Sequence, residues 1–228
     1  MSKKSKMRKQ SRAVQVSAKK AAQPTPNDNK RPVIITVISV VLLAVIVLGT
    51  ILIMKSCQKP EYVEIKVEGY EVITIKLDWD NAPKTCQNFV DLANAGFYDG
   101  LTFHRIIEEF MIQGGDPNAD GSGGSANKIV GEFLSNGYRN TLSHKRGVIS
   151  MARGSYSKDS ASSQFFICNA DSPDLDGDYA AFGYVISGIE SVDKITEDYV
   201  GYTTTNGVIR DKTKQPVIEY VRVVDRQG

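Results

Sequence analysis

The chain has 228 residues, of which 41% are hydrophobic, 24% charged and 8% aromatic, a composition that excludes collagen-like, coiled-coil and wholly disordered classes. The net charge of +2 conceals an asymmetry: residues 1–32 hold ten Lys/Arg against one acid, Asp28, and residues 33–228 hold eighteen Lys/Arg against twenty-five Asp/Glu, so the tail is +9 and the remainder −7. The negative balance of the remainder argues against a nucleic-acid-binding folded domain, which would need a basic face to meet phosphate, and no nucleic-acid partner is expected.

In chain order, residues 1–32 are rich in Lys, Arg, Ser and Gln, are broken by Pro24 and Pro26, and carry too little apolar content to fold. From Val33 to Met54 twenty-two residues pass without a charge, and as a helix they would rise ~33 Å, the thickness of a bilayer core. The length of the run and its long basic leader fit a retained signal-anchor better than a cleaved signal peptide. Positive flanks stay cytoplasmic, so a single-pass protein of the cell membrane is expected, with its N-terminus inside and its acidic part outside. Cys57 invites a lipoprotein reading, but Lys55 puts a charge where that motif wants a small residue. Residues 55–60 are a short linker.

From Glu61 the pattern has period two. Val63, Ile65 and Val67, then Ile73, Ile75 and Leu77, alternate with polar residues, which predicts a hairpin turning at Glu68-Gly69. A helix follows, with Asp80 or Asn81 as its cap, Pro83 in its first turn, an apolar stripe of Cys86, Phe89, Val90 and Ala93, and Gly96 as its stop. Short apolar runs at 102–107, 147–152, 164–169 and 180–187 predict further strands. A second helix is expected near 189–195 and a last strand at 216–224, with Val217, Val221 and Val223 facing opposite to Ile218, Tyr220 and Arg222. Many short strands with few helices in residues 61–228 predict a mainly β domain, a closed or nearly closed antiparallel sheet.

Several chemistries are disfavoured along the way. The glycine-rich loop 114–127 lacks the Gly-Lys-Ser/Thr ending of a phosphate cradle and is expected to be a mobile surface loop. Asp174, Asp176 and Asp178 do not have calcium-loop spacing and predict a turn. No G-x-S-x-G elbow accompanies His104 or His144, so hydrolysis is disfavoured and both histidines are read as structural. The three cysteines and two histidines lack the C-x-x-C and H-x-x-x-H spacings of a structural zinc site, so no metal is expected.

What stands out is Phe103-His104-Arg105-Ile106-Ile107, then Phe110-Met111-Ile112-Gln113-Gly114-Gly115-Asp116, Gly147-Val148-Ile149-Ser150-Met151-Ala152, Ser163-Gln164-Phe165-Phe166-Ile167, and Leu175-Asp176-Gly177 with Phe182-Gly183. In this order and spacing the segments resemble the cyclophilin family of peptidyl-prolyl cis-trans isomerases, here as a membrane-anchored, bacterial-like member. The resemblance runs from about Glu61 to the C-terminus and implies a closed eight-stranded antiparallel β-barrel capped by two α-helices; the transmembrane helix read from the uncharged run would precede it.

It also implies roles. Arg105 is the catalytic arginine; Phe110, Met111, Phe166 and Leu175 form the pocket for the proline ring; Gln113 and Gln164 hold the substrate backbone; and Ala152 and Arg153 bind it through their main chain. Arg153 departs from the family's usual Asn, a change expected to matter little if main-chain groups do the binding. Asp174 stands where many members have tryptophan, which implies weak or no cyclosporin binding, and Tyr179 replaces a pocket histidine while keeping an aromatic wall. Proline-containing polypeptides are the expected partners, no cofactor is required, and a monomer is expected. The rival reading is a chaperone or docking module that binds Pro-containing segments without turning them over.

Overall fold

The computed structural model describes residues 30–56 and 59–225. The basic tail up to residue 29 and Cys57 lie outside the described residues, and with them the expectations about tail disorder and lipidation. The chain divides between residues 58 and 59 into two compact units. The first contains helix α1 (Lys30–Ser56), which starts three residues before the predicted run and ends two after it, with Pro32 in its first turn, where a missing N–H costs nothing. Its side chains are described from 35 to 49, and large apolar ones such as Ile35, Leu43 and Leu48 are more than half exposed. Among the described residues no helix is long and apolar enough to cross a membrane.

The second unit is built on eight antiparallel strands: β1 (Tyr62–Val67), β2 (Ile73–Leu77), β3 (Phe103–Ile107), β4 (Met111–Gly114), β5 (Val148–Met151), β6 (Phe165–Cys168), β7 (Ala180–Ser187) and β8 (Ile218–Val224), in the spatial order β3-β4-β6-β5-β7-β2-β1-β8. Helices α2 (Pro83–Asn94) and α3 (Ile189–Tyr199) complete it, α3 running four residues past the expected end. The first hairpin follows the sequence period: Val63, Ile65, Val67, Ile73 and Ile75 have no exposed surface, and Gly69 turns the chain at φ +80°.

The expected closure of the barrel is corrected. β3 and β8, the two ends of the sheet, share no ladder; one bridge joins Thr102 to Val217, flanked by Phe103 N–H on Pro216 O at 3.0 Å and Ile218 N–H on Leu101 O at 2.8 Å. Pro216 has no N–H to extend that pairing. The facing expected in the last strand is corrected too. A register shift opposite Lys66 and Val67 makes Glu219 an extra residue, so Ile218 and Val221 both enter the core.

The core lies between the inner face of the sheet and the helices. Phe89 of α2 stands at its centre, with ring centroids 5.0 Å from Tyr98, 5.3 Å from Phe165 and 5.1 Å from Phe182, and burying such a ring contributes roughly 2–3 kcal/mol. Asp80 and Asn81 do not cap α2. Its N-terminal amides at Lys84 and Thr85 donate to the carboxylate of fully buried Glu132, at 3.0 and 2.8 Å, and the Thr85 hydroxyl adds a third bond at 2.8 Å. The cap therefore comes from 47 residues along the chain, where the positive end of the helix meets a negative group.

Candidate active site

The site lies on the outer face of β3, β4 and β6, and the pleat puts it there. In β4 and β6, Ile112, Phe165 and Ile167 point into the main core, while their neighbours Met111, Phe166 and Cys168 form a separate apolar cluster with Ile107, Phe110, Ala152, Leu175 and Tyr179. β3 should carry Phe103 and Arg105 on one side. A bulge between them, with Phe103 opposite Gly114 and Arg105 opposite Gln113, inserts one residue and turns Arg105 outward while Phe103 and Ile106 stay inside.

Arg105, Phe110, Met111, Gln113, Ala152, Arg153, Phe166, Leu175 and Tyr179 line one slot of about 150 Å³. Nine of the ten residues singled out in the sequence thus share it; Gln164 lines the adjoining stretch of groove. Phe110, Met111, Phe166, Leu175 and Tyr179 make the slot's apolar side, and Arg105, Gln113 and Arg153 its polar edge. The guanidinium is fixed by Nε on the carbonyl of Asn206 at 3.0 Å and by Nη1 on Gln113 Oε1 at 3.2 Å. Gln113 Nε2 in turn donates to Gln164 Oε1 at 2.8 Å, and Gln164 Nε2 donates to the carbonyls of Gly121 at 3.0 Å and Gly123 at 2.7 Å. Each amide in the relay has one way to face. Partial burial lowers the pKa of Arg105, but a guanidinium remains charged at neutral pH.

The loop 114–127 is tied down rather than free. Buried Asp116 accepts the amides of Asn118 at 2.8 Å, Asp120 at 3.1 Å and Gly121 at 2.6 Å. A Cβ at Gly123 would stand 2.2 Å from Asp116 Oδ1, so only glycine allows the approach. At the other end Ala152 donates its N–H to Gln164 O at 2.9 Å, which leaves only its carbonyl for a ligand.

Beneath the slot the His144 ring stacks on Phe166, centroids 6.0 Å apart. His144 Nδ1 meets Asp176 Oδ1 at 2.8 Å and Nε2 meets Ser150 Oγ at 3.0 Å. His144 and Ser150 are buried beneath Phe166 and Asp176 reaches them from the surface, so the arrangement supports Phe166 rather than presenting a nucleophile. Burial lowers the His144 pKa against an upward pull from Asp176, and burial pushes the Cys168 thiol up to about 12, leaving it a neutral part of the floor.

A family model described as cyclophilin type peptidyl-prolyl cis-trans isomerase matches residues 62–223. The chain belongs to the cyclophilin-type peptidyl-prolyl cis-trans isomerase family. Peptidyl-prolyl cis-trans isomerase ppi1 of Schizosaccharomyces pombe is 39% identical over 153 residues, 67% of this chain and 89% of that one. Peptidyl-prolyl cis-trans isomerase-like 2 of Rhizopus delemar is 43% identical over 143 residues, 62% of this chain, which spans only 26% of that longer relative. A crystal structure of a cyclophilin type isomerase of Cryptosporidium parvum, obtained in the presence of the dipeptide Ala-Pro, is 29% identical with a TM-score of 0.63, covering 72% of this chain and 99% of that one.

Three features of this cyclophilin site were not read from the sequence. The main-chain carbonyl that holds Arg105 comes from Asn206, 101 residues away; its signal is the turn dipeptide Asn206-Gly207, with Gly207 at φ +79°. The His144–Asp176–Ser150 relay has no sequence signature because its members come from three separate segments. Arg153, assigned a main-chain role, also places its guanidinium 4.8 Å from the Tyr179 ring and 5.3 Å from the Phe133 ring.

Proposed function

We propose that the slot grips a proline ring while Arg105 accelerates rotation about the preceding peptide bond. Amide resonance sets a barrier of ~18–20 kcal/mol on that rotation, and uncatalysed X-Pro isomerisation takes tens to hundreds of seconds. No covalent bond has to break. In the twisted state the proline nitrogen loses conjugation and regains a lone pair, and a guanidinium can donate to it. Because that acceptor exists only in the twisted state, the bond lowers the barrier more than it tightens binding. The observation that carries this reading is Arg105, held by Asn206 and Gln113 at the edge of an apolar slot. Proline-containing polypeptides are the substrates, by analogy with the neighbour crystallised with Ala-Pro. Two-dimensional exchange spectroscopy of a prolyl peptide with catalytic amounts of the chain tests it. Exchange well above the buffer rate is expected. Binding without rate enhancement would select the docking-module reading instead.

The membrane anchor and orientation belong to the same proposal. Residues 33–54 carry no charge, and the described apolar side chains of α1 lie exposed, a surface that water penalises and lipid does not. The basic leader sets the N-terminus in the cytoplasm. Protease added to intact cells should remove the acidic domain and spare the tail; the reverse pattern contradicts the orientation. Asp174 is exposed and does not line the slot, which supports weak cyclosporin binding.

A further inference from the structure

Every acid of the chain except Asp28 lies between Glu61 and Asp225, yet none lines the groove. Past the proline slot the groove continues as a polar stretch of about 300 Å³ that shares Gln113, Ala152 and Arg153 with the slot. Among the described residues lining the two stretches, the only charged side chains are Arg105 and Arg153, and neither belongs to an ion pair. Of the nearby carboxylates, Asp120 accepts from Ser122, Asp159 from Gly131 and Asn136, and Asp176 from Ser143 and His144, while exposed Asp178 meets Arg153 through its main-chain carbonyl and forms no ion pair with it. Exposed Lys128 adds a further cation 5.4 Å from the ring of Tyr156, which lines the same stretch.

Arg153 is pinned in place. Nε donates to Asp178 O at 2.9 Å, Nη1 to Gly154 O at 3.4 Å, and the guanidinium plane rests against Tyr179 and Phe133. Nη2 has no protein partner among the described residues. Such a guanidinium loses little freedom when it binds an anion, because its rotamer is already fixed. Its place at the junction of the two stretches lets one extended peptide meet both the slot and Arg153, since successive residues advance only ~3.3 Å.

We propose that Arg153 is a specificity-determining residue that selects substrates with an acidic side chain within two residues of the proline, the carboxylate pairing with Nη2. This rests on the isomerase reading and revises the expectation that the Arg153 side chain matters little. A half-exposed ion pair is worth up to about 1 kcal/mol, about fivefold in rate or affinity.

The test uses the full chain in detergent and acetylated, amidated peptides, so that the only carboxylate is the side chain's. Glu, Gln or Lys is placed in turn at each of the two positions on either side of Ala-Pro. Isomerisation is read by exchange spectroscopy and affinity by calorimetry. At one position Glu should exceed Gln about fivefold, with Lys below Gln, and the advantage should vanish in about 1 M salt, where screening acts within ~3 Å. Arg153→Gln should bring the Glu-to-Gln ratio to about one, and Arg153→Lys should recover part of it; an aromatic-stacking role alone would move neither sign nor salt dependence. Equal behaviour of Glu and Lys peptides, or a Glu preference that survives in Arg153→Gln, overturns the proposal. If the variants do not fold, a wild-type preference indifferent to salt overturns it equally. Loss of turnover on all peptides, neutral ones included, would strike the isomerase reading, while the affinities would still report the preference.

Discussion

Phe165 and Phe166 are adjacent in one strand and share a side chain, but they serve opposite faces of the sheet. Phe165 makes edge contacts with Phe89, Tyr98 and Phe103, at 5.3, 5.5 and 5.8 Å between centroids, and is closed in on every side. Phe166 stands between the His144 ring beneath it and Tyr179 beside it, and borders an open slot. The inner face is filled by its own side chains; the outer face leaves one place unfilled and puts a cation at its rim. The pleat makes this division, and at β3 a single-residue bulge adjusts it so that Arg105 falls on the side of the slot.

That contrast is most exposed to failure at the two phenylalanines themselves. Phe165→Ala should cost about 3–5 kcal/mol in denaturant unfolding, a cavity in a close-packed core. Phe166→Ala should cost about half as much stability and instead weaken prolyl-peptide binding by about tenfold or more; equal losses in both variants would erase the distinction between the faces. Next comes the buried cap. Glu132→Ala leaves two helix amides and a hydroxyl without an acceptor, so about 2–3 kcal/mol should be lost with little change in peptide affinity. On the outer face, Gln164→Ala breaks the relay between Gln113 and the loop carbonyls and should lower turnover about tenfold, with less than about 1 kcal/mol lost in stability.

The last effect is in pH. Burial lowers the pKa of both His104, at the bulge, and His144, under the slot, against upward pulls from Asp116 and Asp176 respectively. The unfolded chain therefore takes up protons first, from about pH 6.5 downward. Stability should be whole above that pH and fall on acidification until the folded histidines titrate as well, by at most about 1.4 kcal/mol per pH unit for each. Neither ring nitrogen of His104 has a hydrogen-bond partner, so His104→Phe should flatten the slope; an unchanged slope assigns it to other groups.

How far the sequence carried depended on how local the cause was. The β1–β2 hairpin was legible because alternation there matches burial residue by residue, and the α2 stripe because its 3.6-residue period is uninterrupted. β4 escaped the periodicity argument: it has four residues, with Met111 and Ile112 both buried on opposite faces. The bulges at β3 and β8 were invisible because an extra residue shows only against its partner strand. The cap on α2 was misassigned because the local candidates, Asp80 and Asn81, lose to a carboxylate delivered from across the fold. For the slot, the motif resemblance supplied residues that periodicity could not, but it said nothing of Asn206, the His144 relay or the stacking of Arg153, which depend on chain segments meeting in space.

The central claim is that Arg105 acts on the twisted amide and hardly on the planar one. Rate and affinity for one prolyl peptide, measured side by side on the wild-type chain and Arg105→Ala, separate those states. The account predicts that kcat/KM falls about 10²–10³-fold while the Kd for the ground-state peptide changes less than about threefold. A variant that keeps its rate, or that loses rate and affinity in equal measure, would contradict it.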